Sequence, residues 1–201
     1  MQPTLFLISF IAAYILGAIP TAYLFGRYLK KIDIRKYGSG NIGATNALRV
    51  LGKGPGLWVF VIDFLKGFLP FFILKKVNLN AGGAEALVIW LGLAPILGHI
   101  FTPFLGFSGG KGVAASAGVL FAARPLLFGL AMSVWILSFV ITKTVSISSL
   151  LAVSSILILA LFFKLPPHYN FFFLAVFLLL VWTHRSNLRK ILKGEEPKLM
   201  K

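Results

Sequence analysis

Two glycine-rich segments carry the residues best suited to chemistry in this chain. The first runs Gly38-Ser39-Gly40-Asn41-Ile42-Gly43-Ala44-Thr45-Asn46-Ala47-Leu48-Arg49, and the second Ser108-Gly109-Gly110-Lys111-Gly112-Val113. Repeated glycines let backbone N–H groups converge on an anion, and a single Arg or Lys beside them supplies the countercharge. Ser39, Asn41, Thr45, Asn46 and Arg49 add hydrogen-bonding side chains to the first segment. This pattern predicts binding of phosphate or of a phosphorylated polyol. In the second segment Gly112 and Val113 follow the lysine. A nucleotide-binding P-loop requires Ser or Thr after its Gly-Lys, so this is not an NTPase motif. The N-terminus of the helix that follows would still favour an anion.

Two further pairs repeat a helical spacing. Asp63 and Lys66 stand at i, i+3 inside an apolar run, which puts them on one helix face. Ionisable groups within a membrane segment are functional by default, so the pair reads equally as a self-satisfied ion pair or as a substrate contact. His184 and Asn187 stand at the same spacing where the last apolar run meets a basic tail.

The elements that must position these groups are membrane helices. Hydrophobic residues make up 58% of the 201 positions and charged residues only 12%, against about a quarter charged in a soluble domain. Mean hydropathy is +0.91. Apolar runs at 4–26, 56–74, 85–101, 113–123, 126–141, 146–163 and 169–183 predict an all-α polytopic protein with about seven transmembrane helices in a single domain, 1–201. Read as one helix, the run from Val113 to Ile141 would bury Arg124 near the bilayer centre at a cost of about 2.5 kcal/mol or more. Arg124-Pro125 is therefore read as a turn between two short spans. With seven spans, fifteen Lys and Arg fall on one face and four on the other. The positive-inside rule then places the N-terminus outside and the C-terminus in the cytoplasm. Both glycine segments, the Lys143 loop and the His184 tail all reach that cytoplasmic face.

Several function classes drop out. The net charge of +15 lies in short loops beside apolar spans, not in a basic stripe, so no nucleic acid is expected as a partner. Cysteine is absent, which removes thiolate chemistry. The acidic residues are Asp33, Asp63, Glu85, Glu195 and Glu196 alone. None pairs with histidine at metal-ligand spacing, so neither a metal nor a cofactor is expected. The His-x4-Asp pairing of the common glycerolipid acyltransferases is missing, because Phe104, Phe173 and Arg189 stand five positions after the three histidines. A transporter of organic phosphates is the alternative, since glycine-interrupted helices and charges at mid-span would suit one. No internal inverted repeat accompanies them, and the polar segments gather on one face.

In order along the chain, these residues resemble the bacterial acyl-phosphate:glycerol-3-phosphate acyltransferases, the PlsY family. The resemblance rests on Gly38-Ser39-Gly40-Asn41-x-Gly43-Ala44-Thr45-Asn46-x-x-Arg49, on Asp63-x-x-Lys66-Gly67, and on Gly98-His99 through Gly109-Gly110-Lys111-Gly112-Val113-Ala114. Ser146 and Ser149 after Lys143, then His184-x-x-Asn187-x-x-Lys190 with Gly194-Glu195, extend it to about Pro197. Ala115 stands where the family usually has Thr, and Lys143 where Arg is common. The resemblance implies transfer of a fatty acyl group from acyl phosphate to the 1-hydroxyl of glycerol 3-phosphate, giving lysophosphatidate and phosphate. It implies a monomer among membrane lipids in the bacterial inner membrane, with its active site facing the cytoplasm. Catalytic roles then fall to Lys111, Ser39, His184 and Asn187. Substrate binding falls to Gly40, Asn41, Thr45, Asn46, Arg49, Lys66, Gly109, Gly110, Gly112, Ser146 and Ser149. In that scheme Lys111 and the N–H groups of Gly109, Gly110 and Gly112 hold the acyl-phosphate head. Ser39, Arg49, His184 and Asn187 orient glycerol 3-phosphate.

Overall fold

The computed structural model describes residues 3–199, and among them every regular element is helical. The chain forms two compact units that meet in sequence at Ala123 and Arg124.

The first unit opens with α1 (Pro3–Ala18) and α2 (Thr21–Lys30), separated at Ile19-Pro20. Proline lacks the N–H that would continue the ladder, so the helix breaks there. A 3-10 turn (Ile34–Lys36) and the first glycine loop lead into α3 (Ala44–Leu51) and the long α4 (Lys53–Asn80). A short α5 (Glu85–Val88) runs through a 3-10 turn (Ile89–Gly92) into α6 (Leu93–Ile100). Another 3-10 turn (Pro103–Leu105) and the second glycine loop precede α7 (Val113–Ala123). The backbones of α4 and α7 approach so closely that a Cβ at Gly67 would strike the Ala115 carbonyl, and one at Gly118 the Phe64 carbonyl. Small residues at such crossings are how membrane helices gain contact area.

The second unit holds α8 (Pro125–Thr142), α9 (Val145–Phe162), α10 (Pro167–Thr183) and α11 (Arg185–Leu192). Ser138, Ser146, Ser148 and Ser149 are buried in it, whereas Ile141 is 79% exposed and Phe162 76%. Small polar residues inside and large apolar ones outside reverse the soluble pattern and suit a lipid solvent.

All seven apolar runs form helices, and Arg124 does break 113–141 in two. Its guanidinium stacks 4.2 Å over the Tyr169 ring of the same unit. Among the described residues, five helical stretches are long and apolar enough to cross a bilayer: Pro3–Lys30, Lys53–Asn80, Glu85–Leu105, Pro125–Thr142 and Val145–Phe162. The pair α10–α11, bent by 60°, makes a sixth if counted together. At ~1.5 Å per residue, the 11 residues of α7 rise about 16 Å, roughly half the hydrocarbon thickness. By length and composition alone, five or six of the described helical stretches meet the requirement for a crossing, and α7 falls short of it.

Candidate active site

The first glycine loop is folded by its own asparagines. The amide of Asn46 is 1% exposed; its Oδ1 accepts the Ser39 N–H at 2.8 Å, and its Nδ2 donates to the carbonyls of Tyr37 (3.1 Å) and Ile34 (3.4 Å). Gly38 takes the left-handed conformation (φ +60°), and a Cβ there would run into Asn46 Oδ1. Asn41 Oδ1 accepts the Gly43 N–H at 2.9 Å, closing an Asx turn. Both asparagines, expected as substrate ligands, are thus engaged in shaping the loop. What the loop presents outward is the exposed Ser39, the half-buried Thr45, and the exposed Arg49 one turn later on α3. Just upstream, Asp33 caps the 3-10 turn by accepting the Arg35 N–H (3.1 Å) and forms a two-pronged pair with the Arg35 guanidinium (2.7 and 3.0 Å). That guanidinium holds the Asp33 carboxyl down at about 2.

The second loop departs from expectation. Gly109 donates its N–H to the Ile100 carbonyl and Gly110 to that of His99, each at 2.9 Å. A Cβ on Gly110 would collide with the His99 imidazole, and one on Gly109 with the carbonyls of His99 and Ile100. Neither N–H is open to a phosphate; the two glycines let the loop lie flat on the end of α6. The anion-facing groups reduce to the half-buried Lys111, Gly112, and the first N–H groups of α7, which no intrahelical carbonyl satisfies. Gly112 adopts φ +86°, a conformation costly to any other residue. Leu105, at the start of this loop, packs on the apolar cluster of Ala22, Ile34, Ile42 and Ala47 that also underlies the first loop. One apolar cluster therefore supports both loops.

Beneath the second loop lies a buried charge cluster. Lys66 Nζ stands 2.7 Å from Asp63 Oδ1 and donates to the Ile19 carbonyl at 2.6 Å. Asp63 and Lys66 are 1% and 8% exposed, and His99 Nδ1 lies 3.8 Å from the same carboxylate oxygen. Thr102 Oγ1 donates to the Ala18 carbonyl at 2.6 Å. Lys66 and Thr102 thus satisfy the two carbonyls at the α1–α2 break, where lipid offers no hydrogen bond. Of the two readings of Asp63 and Lys66, the self-satisfied pair is the one formed. The Lys66 ammonium, expected as a substrate contact, is engaged by the Asp63 carboxylate and the Ile19 carbonyl.

In the second unit, His184 occupies the bend between α10 and α11 and is 2% exposed. Its Nδ1 is 2.8 Å from the Leu180 carbonyl, which can only accept, so Nδ1 carries the proton and the ring is fixed. Asn187 Nδ2 and Ser146 Oγ both donate to Glu196 Oε1, at 2.6 and 2.7 Å. The tail closes with the Leu199 N–H on the Lys143 carbonyl (2.9 Å). Ser149, also expected at the site, accepts the Trp135 indole N–H at 3.2 Å between α8 and α9. Sequence reasoning missed Glu196. The signal was there: with five acidic residues in the chain, a carboxylate among the tail's cations needs a reason.

Comparison with known proteins identifies the family. Residues 7–194 match the family model for glycerol-3-phosphate acyltransferase. A glycerol-3-phosphate acyltransferase of Listeria welshimeri is 42% identical over 99% of this chain and 98% of its own length. The glycerol-3-phosphate acyltransferase 2 of Moorella thermoacetica is 40% identical over 97% and 98%. Among solved structures, PlsY (YgiH), an integral membrane glycerol 3-phosphate acyltransferase, superposes in its glycerol 3-phosphate form with a TM-score of 0.89. Identity is 37%, covering 96% of this chain and 94% of that one. Its lysophosphatidic acid form gives 0.86 at 36% identity. By sequence over nearly its whole length, and by fold, the chain belongs to the glycerol-3-phosphate acyltransferase family.

Proposed function

We propose that the chain moves a fatty acyl group from acyl phosphate to the 1-hydroxyl of glycerol 3-phosphate, releasing lysophosphatidate and phosphate. Acylation of glycerol 3-phosphate in phospholipid synthesis is the activity of the family. The observation that carries the choice of donor is the pair of glycine loops on one apolar cluster, each with its own cation, Arg49 and Lys111. An acyl-phosphate donor and a glycerol 3-phosphate acceptor each bring a phosphate, and two cradles match two phosphates.

Arg49 and Ser39 take the phosphate of glycerol 3-phosphate, with the guanidinium giving two parallel contacts. Lys111, Gly112 and the first N–H groups of α7 take the acyl-phosphate head. The 1-hydroxyl oxygen attacks the acyl carbonyl carbon, the bond from that carbon to the phosphate oxygen breaks, and the departing phosphate accepts the hydroxyl proton. Lys111 and the α7 N-terminus stabilise the charge that develops. Acyl phosphate is an activated donor, so positioning supplies most of the rate. His184, Asn187 and Ser146 are assigned to aligning the acceptor.

The distribution of Lys and Arg supports an N-terminus outside and a C-terminus in the cytoplasm of the bacterial inner membrane. The site then faces the cytoplasm, and the protein acts as a monomer.

The test is turnover by purified protein with palmitoyl phosphate and glycerol 3-phosphate, following phosphate and lysophosphatidate together. Equal yields of both are expected, with no product from palmitoyl-CoA. Turnover from palmitoyl-CoA alone would overturn the donor. Lys111→Ala is expected to abolish nearly all turnover; substantial residual activity would overturn its place at the donor.

A further inference from the structure

The outward face of α11 has no role in the reaction as derived above. Arg185 and Arg189 on α11 and Lys193, the residue that caps its C-terminus in helical conformation, are exposed and follow one another at i, i+4, i+8, which lines them along one stripe. Lys190 flanks the stripe, and Leu192, beside it, is 87% exposed. The opposite face carries Asn187, Leu188 and Ile191, all partly buried. No acidic residue lies between His184 and Lys193; of the two carboxylates that follow, Glu196 is turned inward to Ser146 and Asn187. The helix leaves α10 through a 60° bend, so it cannot continue along the axis of that apolar helix. At the bend, the Arg185 guanidinium stacks 4.3 Å over the half-exposed Trp182 ring and donates to the Trp182 carbonyl at 3.0 Å. An aromatic ring paired with arginine at the end of an apolar helix marks the headgroup level.

A short amphipathic helix with a row of cations and an apolar side chain beside it is the form that lies in the plane of a bilayer surface. Clusters of Lys and Arg next to a membrane helix are drawn to anionic headgroups. We propose that α11 docks through Arg185, Arg189 and Lys193 on anionic phospholipid headgroups, with Leu192 entering the acyl boundary. Docking holds the helix that carries Asn187, so the charge of the surrounding lipid supports turnover through the Asn187–Glu196–Ser146 contacts. Its link to turnover rests on the acyltransferase reading; the docking itself does not.

Because the chain has no cysteine, Leu192→Cys accepts a single polarity-sensitive fluorophore. The labelled full-length protein is placed in nanodiscs of pure phosphatidylcholine, or of equal parts phosphatidylcholine and phosphatidylglycerol. Acrylamide, a neutral quencher, reads exposure of the label without bias from surface charge. The label is expected to be shielded in the mixed lipid and accessible in phosphatidylcholine, with Arg185→Gln/Arg189→Gln/Lys193→Gln abolishing the difference. Equal quenching in both lipids would overturn the docking. In the same discs, without label, acylation by the wild type is expected to fall at least about fivefold on removing phosphatidylglycerol, the lower end of ordinary coupling between sites. The triple variant is expected to show less than half that response. Anionic donor partitioning acts equally on both proteins, so an equal response would overturn the coupling. Lipid-dependent shielding without any acylation would leave docking standing and refute the acyltransferase reading instead.

Discussion

Replacing Lys66 by methionine should damage this protein by a route that replacing Asp63 as well would repair. Methionine matches the length of the lysine stem but brings no charge. Asp63, 1% exposed, would keep its carboxylate with only the His99 ring, 3.8 Å away, beside it, and the Ile19 carbonyl would lose the Lys66 donor. Breaking a buried pair from one side costs about 3–5 kcal/mol, because the remaining charge is uncompensated. Replacing both partners by neutral residues of similar size is often close to neutral. The Ile19 carbonyl keeps the Thr21 N–H at 3.0 Å, so in Asp63→Asn/Lys66→Met that loss stays near the ordinary net worth of a hydrogen bond, about 1 kcal/mol. Lys66→Met should thus be less stable than the double variant by about 2–4 kcal/mol, or 30-fold to 1000-fold in the folded-to-unfolded ratio. The assay is reversible denaturation of the purified protein in micelles, followed by tryptophan fluorescence, with a double-mutant cycle across the two positions. Additive losses would refute the pair as described. Loss of activity in Lys66→Met with less than about 1 kcal/mol of destabilisation would refute it differently, returning Lys66 to the substrate.

The other residues make comparable commitments. Asn46→Ala leaves the Ser39 N–H and the Tyr37 carbonyl without their amide partner, a loss of about 1–3 kcal/mol at the loop. Glycerol 3-phosphate saturation should show KM raised about tenfold or more; an unchanged KM would mean the loop does not bind that phosphate. Glu196→Ala should lower turnover by freeing Ser146 and Asn187 together, whereas Glu196→Gln retains an acceptor oxygen and should recover part of the loss; equal loss in both would show that charge, not the contact, matters. The Arg35 guanidinium holds the Asp33 carboxyl at about 2, below the usual carboxylate range, so the brace it forms with Arg35 is present above pH 4 and is lost only as the pH falls through 2. KM for glycerol 3-phosphate should therefore be the same in wild type and Asp33→Asn to within about fivefold, by a factor independent of pH between 5 and 8, since exposed pairs contribute little.

What the sequence made legible is what depends on residue type over a short span. Runs of apolar residues longer than a bilayer requires could hardly be anything but membrane helices, and an Arg-Pro step inside such a run had to break it. The two glycine loops were legible as loops for the same reason, since no helix tolerates that density of glycine. Their use was not. Glycine serves two opposite purposes: it leaves an N–H open for a ligand, or it lets the backbone press against a neighbour and hand that N–H to a carbonyl. Gly109 and Gly110 do the second, and the deciding carbonyls belong to Ile100 and His99, back on α6. Asn46 poses the same ambiguity, because an amide that could hold a polyol can equally hold three backbone groups of its own loop. Lys66 follows the pattern at longer range, its acceptor Ile19 lying 47 positions away. In each case the residue type announced a strong donor or acceptor, and only the fold decided whether its partner was substrate or protein. With Asn41, Asn46, Gly109 and Gly110 engaged within the fold, the proposed phosphate chemistry draws on fewer groups than the sequence offered.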